Sequence, residues 1–244
     1  MIDTHAHFGD DADDVLARAR EAGVSRVVAV ATTIDEARRV LDIAERTEGV
    51  YAALGVHPHE AASDNAARVD ELAELLTHPR AVAVGETGLD YFRDYAPHDA
   101  QQRLFERELE LARGARKPVV IHTRAADDDT LARLVVHEGR VILHCFSSPA
   151  LLEPALEHGW WVSFAGNVTY KNAYDLRDAA RRVPANRILA ETDSPYLAPQ
   201  AVRGRRNEPQ YVMQTLAVLA ELRGVEAGVL AQQIDANADE VFAL

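Results

Sequence analysis

Eight short apolar runs recur along the chain with amphipathic segments between them: Met1–His5, Arg26–Ala31, Val50–His57, Ala81–Glu86, Pro118–His122, Arg140–Phe146, Trp160–Phe164 and Arg187–Asp193. Stretches such as VVAVA, VVIH and VILHCF are nearly continuous in apolar residues, which is how a strand reads when both faces of a parallel sheet are covered. The intervening segments, among them Ala12–Ala22, Ile34–Glu48, Ala66–Leu76, Asp99–Ala115 and Ala173–Arg182, carry apolar residues at three- and four-residue spacing, the period of a helix with one buried face. Gly23, Gly49, Gly139 and Gly159 each stand just before a strand, where a helix end favours a residue that tolerates left-handed backbone. Strand then helix, eight times in 244 residues, predicts an α/β chain folded as a (β/α)8 TIM barrel. The competing doubly wound sheet usually carries a glycine-rich phosphate loop after its first strand, and here Gly9 stands alone. No Pro/Gly-rich linker or charge run divides the sequence, so it reads as one domain over residues 1–244.

The single cysteine, Cys145, can form no internal disulfide, and the opening MIDTHAHFGD lacks the basic and apolar regions of a secretory leader; both fit a reducing, cytoplasmic setting. No window approaches the roughly 18–20 apolar residues of a membrane span, and no feature points to an obligate protein partner. A net charge of −13 argues against a broad basic face for nucleic acid. Only two of the 26 basic residues are lysines, Lys117 and Lys171.

The acids and histidines gather at the C-terminal ends of the expected strands: His5 and His7 on the first, His57 on the third, Glu86 on the fourth, His122 on the fifth, His144 on the sixth, Asp193 on the eighth. In a parallel barrel those ends share one rim, the face that carries active sites. Parity agrees, because Val82, Val84 and Glu86 share a face, as do Val120 and His122, Ile142 and His144, and Glu191 and Asp193. A carboxylate or imidazole atop a buried apolar column is costly unless paired or metal-bound. One histidine at a strand end is ordinarily a hydrogen-bonded rim residue; this many on one rim suit two divalent ions with a bridging carboxylate. Glu86 is the candidate bridge. A carbamylated lysine, the commoner bridge on such barrels, is excluded because Lys117 precedes the fifth strand and Lys171 follows the seventh. His59, His78, His98, His137 and His158 fall in loops or helices and receive no role; Cys145, Trp160 and Trp161 read as packing residues. Arg203, Arg205 and Arg206 follow the eighth strand, either as a solvated loop or as a positive lip over the rim for an anionic substrate.

At this point the chain resembles the TatD-type metal-dependent DNases, within the amidohydrolase-like barrels. The matching pieces are DTHAH (3–7), GVHPH (55–59), GETGLDY (85–91), VIHTR (120–124), HCFS (144–147), SFAGNVTYKNA (163–173), ETDSPYLAP (191–199) and RGRRNEP (203–209), and they span almost the whole chain. The resemblance implies one metal held by His5, His7, Glu86 and Asp193, a second held by Glu86, His122 and His144, substrate phosphate facing His57, and a third, weaker metal at Glu191. It also implies cleavage of DNA phosphodiesters, and of RNA in some members, commonly from the 3′ end with Mg²⁺ or Mn²⁺; borderline imidazole-rich ligand sets also suit Zn²⁺. Two departures are Ala6, where many members carry cysteine, and Ser148, where glycine is common. The expected chemistry is attack by an activated water with Asp193 taking its proton, Glu86 bridging, and His57 and Arg205 neutralising charge on the phosphorane-like transition state. The acidic balance leads to an expectation of single-stranded 3′ ends or short oligonucleotides as substrate. The alternative is a hydrolase of the same fold acting on a small amide, ester or lactone.

Overall fold

The computed structural model describes residues 1–244 and contains one parallel sheet of eight strands in chain order. The strands are β1 (Ile2–Ala6), β2 (Arg26–Val30), β3 (Val50–Leu54), β4 (Ala81–Asp90), β5 (Val119–Arg124), β6 (Val141–Leu143), β7 (Trp161–Phe164) and β8 (Ile188–Ala190). Each pairs with its successor. Ala6 bridges Ser194 in parallel register, and Asp193 donates its backbone N–H to the His5 carbonyl at 3.0 Å. The last strand therefore lies beside the first, and the sheet closes into the expected (β/α)8 barrel. The helices are α1 (Ala12–Glu21), α2 (Ile34–Arg46), α3 (Asp64–Ala67), α4 (Leu72–Leu75), α5 (His98–Ala115), α6 (Asp127–Leu134), α7 (Leu152–His158), α8 (Tyr174–Arg182), α9 (Val212–Arg223) and α10 (Ala227–Phe242). One contiguous cluster of 71 buried apolar residues joins strands to helices. No helix is long and apolar enough to cross a membrane.

Local chemistry explains the joins. Thr33 caps α2 by accepting from the Glu36 N–H, and the helix buries Ile34, Ala37, Val40, Leu41 and Ala44 along one stripe. The chain then turns into β3 through Gly49, at φ +79°, where a Cβ would stand 2.3 Å from the Ser25 carbonyl oxygen. Two expectations are corrected. Gly139 does not close a helix, since α6 already ends at Leu134; a Cβ there would stand 2.3 Å from His137 Nε2, so close approach, not handedness, fits glycine to the position. The segment Ala66–Leu76 is not one helix but α3, a 3₁₀ turn over Val69–Glu71 and α4. Val69, Leu72 and Leu76 are buried as the spacing requires, and those anchors fix the path more firmly than helix propensity does. Trp160 and Trp161 are buried packing residues as expected.

The β1–β8 seam is clamped by Asp3, which is fully buried. Its carboxyl accepts from Thr192 N–H at 2.9 Å and from the Thr192 hydroxyl at 2.5 Å, and from His5 N–H at 3.3 Å. Burial pushes its pKa up to about 8 against those bonds. Asp3→Ala leaves two buried N–H groups without an acceptor, a loss expected to be on the order of 2–3 kcal/mol. Urea unfolding in chelator, where bound metal adds nothing, reads this out, and an unchanged midpoint would contradict the clamp.

Candidate metal centre

Strand lengths decide what reaches the rim. β6 and β8 stop at Leu143 and Ala190, so His144, Glu191 and Asp193 emerge just past the hydrogen-bonded ladder. β3 ends at Leu54, three residues short of His57. β4 runs to Asp90, four residues past Glu86, and carries a second buried carboxylate on the same face.

Glu86 sits at the middle of these side chains with its two oxygens turned to different neighbours. Oε1 lies 2.8 Å from His122 Nδ1, 2.9 Å from His144 Nε2 and 3.4 Å from His57 Nε2. Oε2 lies 3.6 Å from both His5 Nε2 and His7 Nε2. Asp193 Oδ1 is 3.6 Å from His7 Nε2 and 3.9 Å from His5 Nε2, and the two Nε2 atoms are 3.2 Å apart. Three overlapping sets thus have metal-ligand spacing: His5, His7 and Asp193; His5, Glu86 and His144; His57, Glu86 and His122. Glu191 stands behind His144, its Oε1 3.1 Å from His144 Nδ1 and accepting from Cys145 N–H at 2.8 Å. Orientation follows from these outer contacts: His7 directs Nδ1 to the Val30 carbonyl at 3.2 Å, which leaves Nε2 free toward the centre.

Glu86, Asp90, Glu191 and Asp193 are four carboxylates on one rim, and no arginine or lysine forms an ion pair with any of them. Buried negative charge of this density needs positive charge in contact. The imidazoles in contact with them supply part of it. Burial opposes ionisation of Glu86, yet His144, His57 and His122 outweigh it and hold the carboxyl well below the usual carboxylate range. Burial likewise opposes charge on His144, but Glu86 and Glu191 raise its pKa well above the ordinary imidazole value. His122 is raised by Asp90 and Glu86 against burial, and Asp193 is lowered, against burial, by its bond to His7 and by His144. Glu191 Oε2 and His5 Nδ1 are buried with no hydrogen-bond partner. A set of imidazoles wedged between carboxylates, with a free carboxylate oxygen behind them, fits divalent cations.

Two neighbours escaped the reading of the sequence. Asp90 is buried, with Oδ2 2.9 Å from His59 Nε2 and 3.2 Å from His122 Nε2, so it orients both rings. Its signal was its parity with Glu86; that of His59 was its place two residues after His57. His57 itself is pushed down to about 4 by burial, which outweighs Glu86. Its ring is neutral near pH 7, and it would meet a phosphate without the positive charge expected of it. Helix α5 holds this side of the rim from behind. Gln101 accepts from Asp90 N–H at 2.8 Å and donates to the Asp90 carbonyl at 3.1 Å; Glu108, two turns on, bonds Val56 N–H at 2.7 Å and the Thr87 hydroxyl at 2.6 Å.

Three exposed aromatic rings flank the centre. Tyr95 sets its ring 4.7 Å from His59, and Tyr196 lies 6.1 Å from His7. Phe92 lies beneath the Arg124 guanidinium at 3.9 Å; these three are 61–64 % exposed. Of the arginines after β8, Arg206 is tied to Asp11 and Arg203 lies over Tyr170 at 4.6 Å. Arg205 is exposed.

The family model described as TatD related DNase matches residues 2–243. The uncharacterized metal-dependent hydrolase TatD of Mycobacterium tuberculosis is 40% identical over 262 residues, covering 100% of this chain and 98% of its own. The 3'-5' ssDNA/RNA exonuclease TatD of Klebsiella pneumoniae is 35% identical, covering 99% and 95%. Among solved structures, the TatD homolog YJJV of Escherichia coli superposes with a TM-score of 0.93 at 33% identity, covering 100% of this chain and 98% of its own.

Proposed function

This chain belongs to the TatD-related DNase family and is a metal-dependent hydrolase, and from that premise we propose that it hydrolyses phosphodiester bonds at the 3′ ends of single-stranded DNA, and of RNA, using two divalent ions. The observation that carries the reading is the division of Glu86: one oxygen serves His57, His122 and His144, the other His5 and His7. A carboxylate so divided suits a bridge between two ions, Mg²⁺ or Mn²⁺ in use and Zn²⁺ by ligand type. When bound, such ions supply Lewis-acid charge to the phosphate and lower the pKa of an attacking water.

His5, His7, Glu86 and Asp193 would hold one ion, and Glu86, His122 and His144 the other, with Glu191 as a weaker third site. Asp193, kept ionised and with its side chain 13% exposed, takes the water proton. The water oxygen bonds to phosphorus as the P–O3′ bond breaks, releasing a 5′-mononucleotide and a shortened strand with a 3′-hydroxyl. His57, neutral, orients the phosphate by hydrogen bonding, and Arg205 contributes positive charge from the β8 loop.

Two features support a single strand. An acidic body of net charge −13 repels the dense charge of a duplex, and exposed aromatic rings suit bases that are already unstacked. Tyr95→Ala and Tyr196→Ala are each expected to raise KM for a single-stranded oligonucleotide about ten-fold, from the loss of one stacked base, with kcat nearly unchanged. A fall in kcat at constant KM would contradict stacking.

The deciding experiment incubates metal-stripped protein with 5′-labelled single-stranded DNA, RNA and blunt duplex, restoring Mg²⁺, Mn²⁺ or Zn²⁺, beside a panel of amides, esters and lactones. Metal-dependent shortening of single strands from the 3′ end is the expected result. Untouched oligonucleotides with turnover of a neutral substrate would transfer the assignment to a small-molecule hydrolase, and equal cutting of duplex would overturn the strand preference.

A further inference from the structure

The opposite end of the barrel carries a second concentration of charge, of the other sign. Cationic residues stand at or just before the starts of five strands: Arg26 at β2, Arg80 at β4, Lys117 at β5, Arg140 at β6 and Arg187 at β8. Acids of α10 neutralise part of this arc. Arg26 pairs with Asp235 at 3.2 Å and with Asp239, and Arg187 with Glu240 at 3.3 Å. Between the end of α5 and the start of β6 that neutralisation stops. There a cavity of about 270 Å³ is lined by Arg113, Arg116, Lys117, His137 and Arg140. None of the four long cationic side chains meets a carboxylate: Lys117 donates to the Ala81 carbonyl, Arg140 to the Glu240 carbonyl at 2.9 Å, and Arg113 approaches His137 Nδ1 at 3.5 Å. Glu138 is the one acidic residue of the lining.

His137 adds an independent sign. The ring is buried, 8% exposed, and Nε2 has no hydrogen-bond partner. Because Nδ1 faces the Arg113 guanidinium, which only donates, Nδ1 accepts and the ring proton sits on Nε2. A buried N–H without an acceptor costs on the order of 1–3 kcal/mol. Gly139 is the neighbour over this nitrogen, and any Cβ there would approach it to 2.3 Å. Burial and the Arg113 charge lower the His137 pKa; burial and Arg140 lower that of Lys117. Four cations around one cavity, none with a carboxylate partner, are what a bound oxyanion would relieve, and the His137 ring that lines the same cavity would sense its charge.

We propose that this basal cavity binds a phosphate group, free or carried by a small molecule, at a site separate from the metal centre. The cavity volume of about 270 Å³ suits nothing larger than a mononucleotide. The site does not depend on the substrate assigned to the rim.

The test follows the His137 ring signals by NMR in metal-loaded, ¹⁵N-labelled protein during titration with inorganic phosphate and, separately, with a nucleoside 5′-monophosphate. Phosphate held at the metal centre, at the far end of the barrel, does not report on this ring. A saturable shift of the Nε2–H signal is expected, weakened on the order of ten-fold or more in the Arg113→Glu, Arg116→Glu double variant. Both substituted side chains are exposed, so folding is not at risk. Tighter saturation by the nucleotide identifies a nucleotide phosphate as ligand; equal saturation identifies the phosphate group alone. A silent ring in the wild-type protein, or an equal response in the charge-reversed variant, overturns the proposal.

Discussion

Glu86→Ala is expected to lower phosphodiester hydrolysis on the order of 10³-fold or more and to reduce bound metal from the proposed two ions per chain to at most one. This carboxylate divides between both halves of the centre: Oε1 faces His57, His122 and His144, while Oε2 faces His5 and His7. Deleting it removes the one charge that two ions could share and leaves each half with fewer anionic ligands. Glu86→Gln keeps the volume and removes the charge, so it separates packing from ligation. Metal content by mass spectrometry and steady-state rates on a single-stranded oligonucleotide measure the two effects together. Retention of both ions at a near-normal rate would remove Glu86 from the role of bridge.

Glu108→Gln is expected to stabilise the protein, increasingly so toward high pH. Burial raises the Glu108 carboxyl from 4.5 to about 8, and its bonds to Thr87 and Val56 offset only part of that shift. An acid whose folded pKa lies above its unfolded value costs no stability below pH 4.5, loses stability as pH rises through the window to about 8, and has lost it fully above. The slope inside that window is about 1.4 kcal/mol per pH unit. Glutamine reproduces the neutral form, accepting from Val56 N–H and donating to the Thr87 hydroxyl. The wild type and variant should therefore melt together near pH 4.5, and the variant should melt roughly 10–20 °C higher at pH 8. Equal melting temperatures at pH 8 would show that Glu108 ionises without strain in the folded chain.

Much of the barrel could be read from β-branched runs, because strands buried on both faces leave a signal with no polar interruptions. Convergence of His5, His7, Glu86, His122, His144 and Asp193 followed from that topology alone. Asp90 lies past the expected end of β4 at Glu86; Gln101 holds the Asp90 backbone and Glu108 the Thr87 hydroxyl along a strand that runs on to Asp90. His59 was passed over because a loop histidine carries no periodicity; its place depends on Asp90. Irregular packing around Val69 is a tertiary outcome that helix spacing does not encode. The charge on His57 is likewise a tertiary outcome, since burial and neighbours set it, not residue type.

The seam between β1 and β8 has a temporal consequence. His5 and His7 leave the ribosome more than 180 residues before Asp193 and the Thr192 that locks Asp3. The seven strands that precede β8 must wait with the β1 edge open for the last to arrive, and no nascent chain that stops short of Asp193 contains all the residues of the proposed centre. Completion of the proposed centre is thus a closing event of biosynthesis, coupled to the same step that joins the two ends of the sheet.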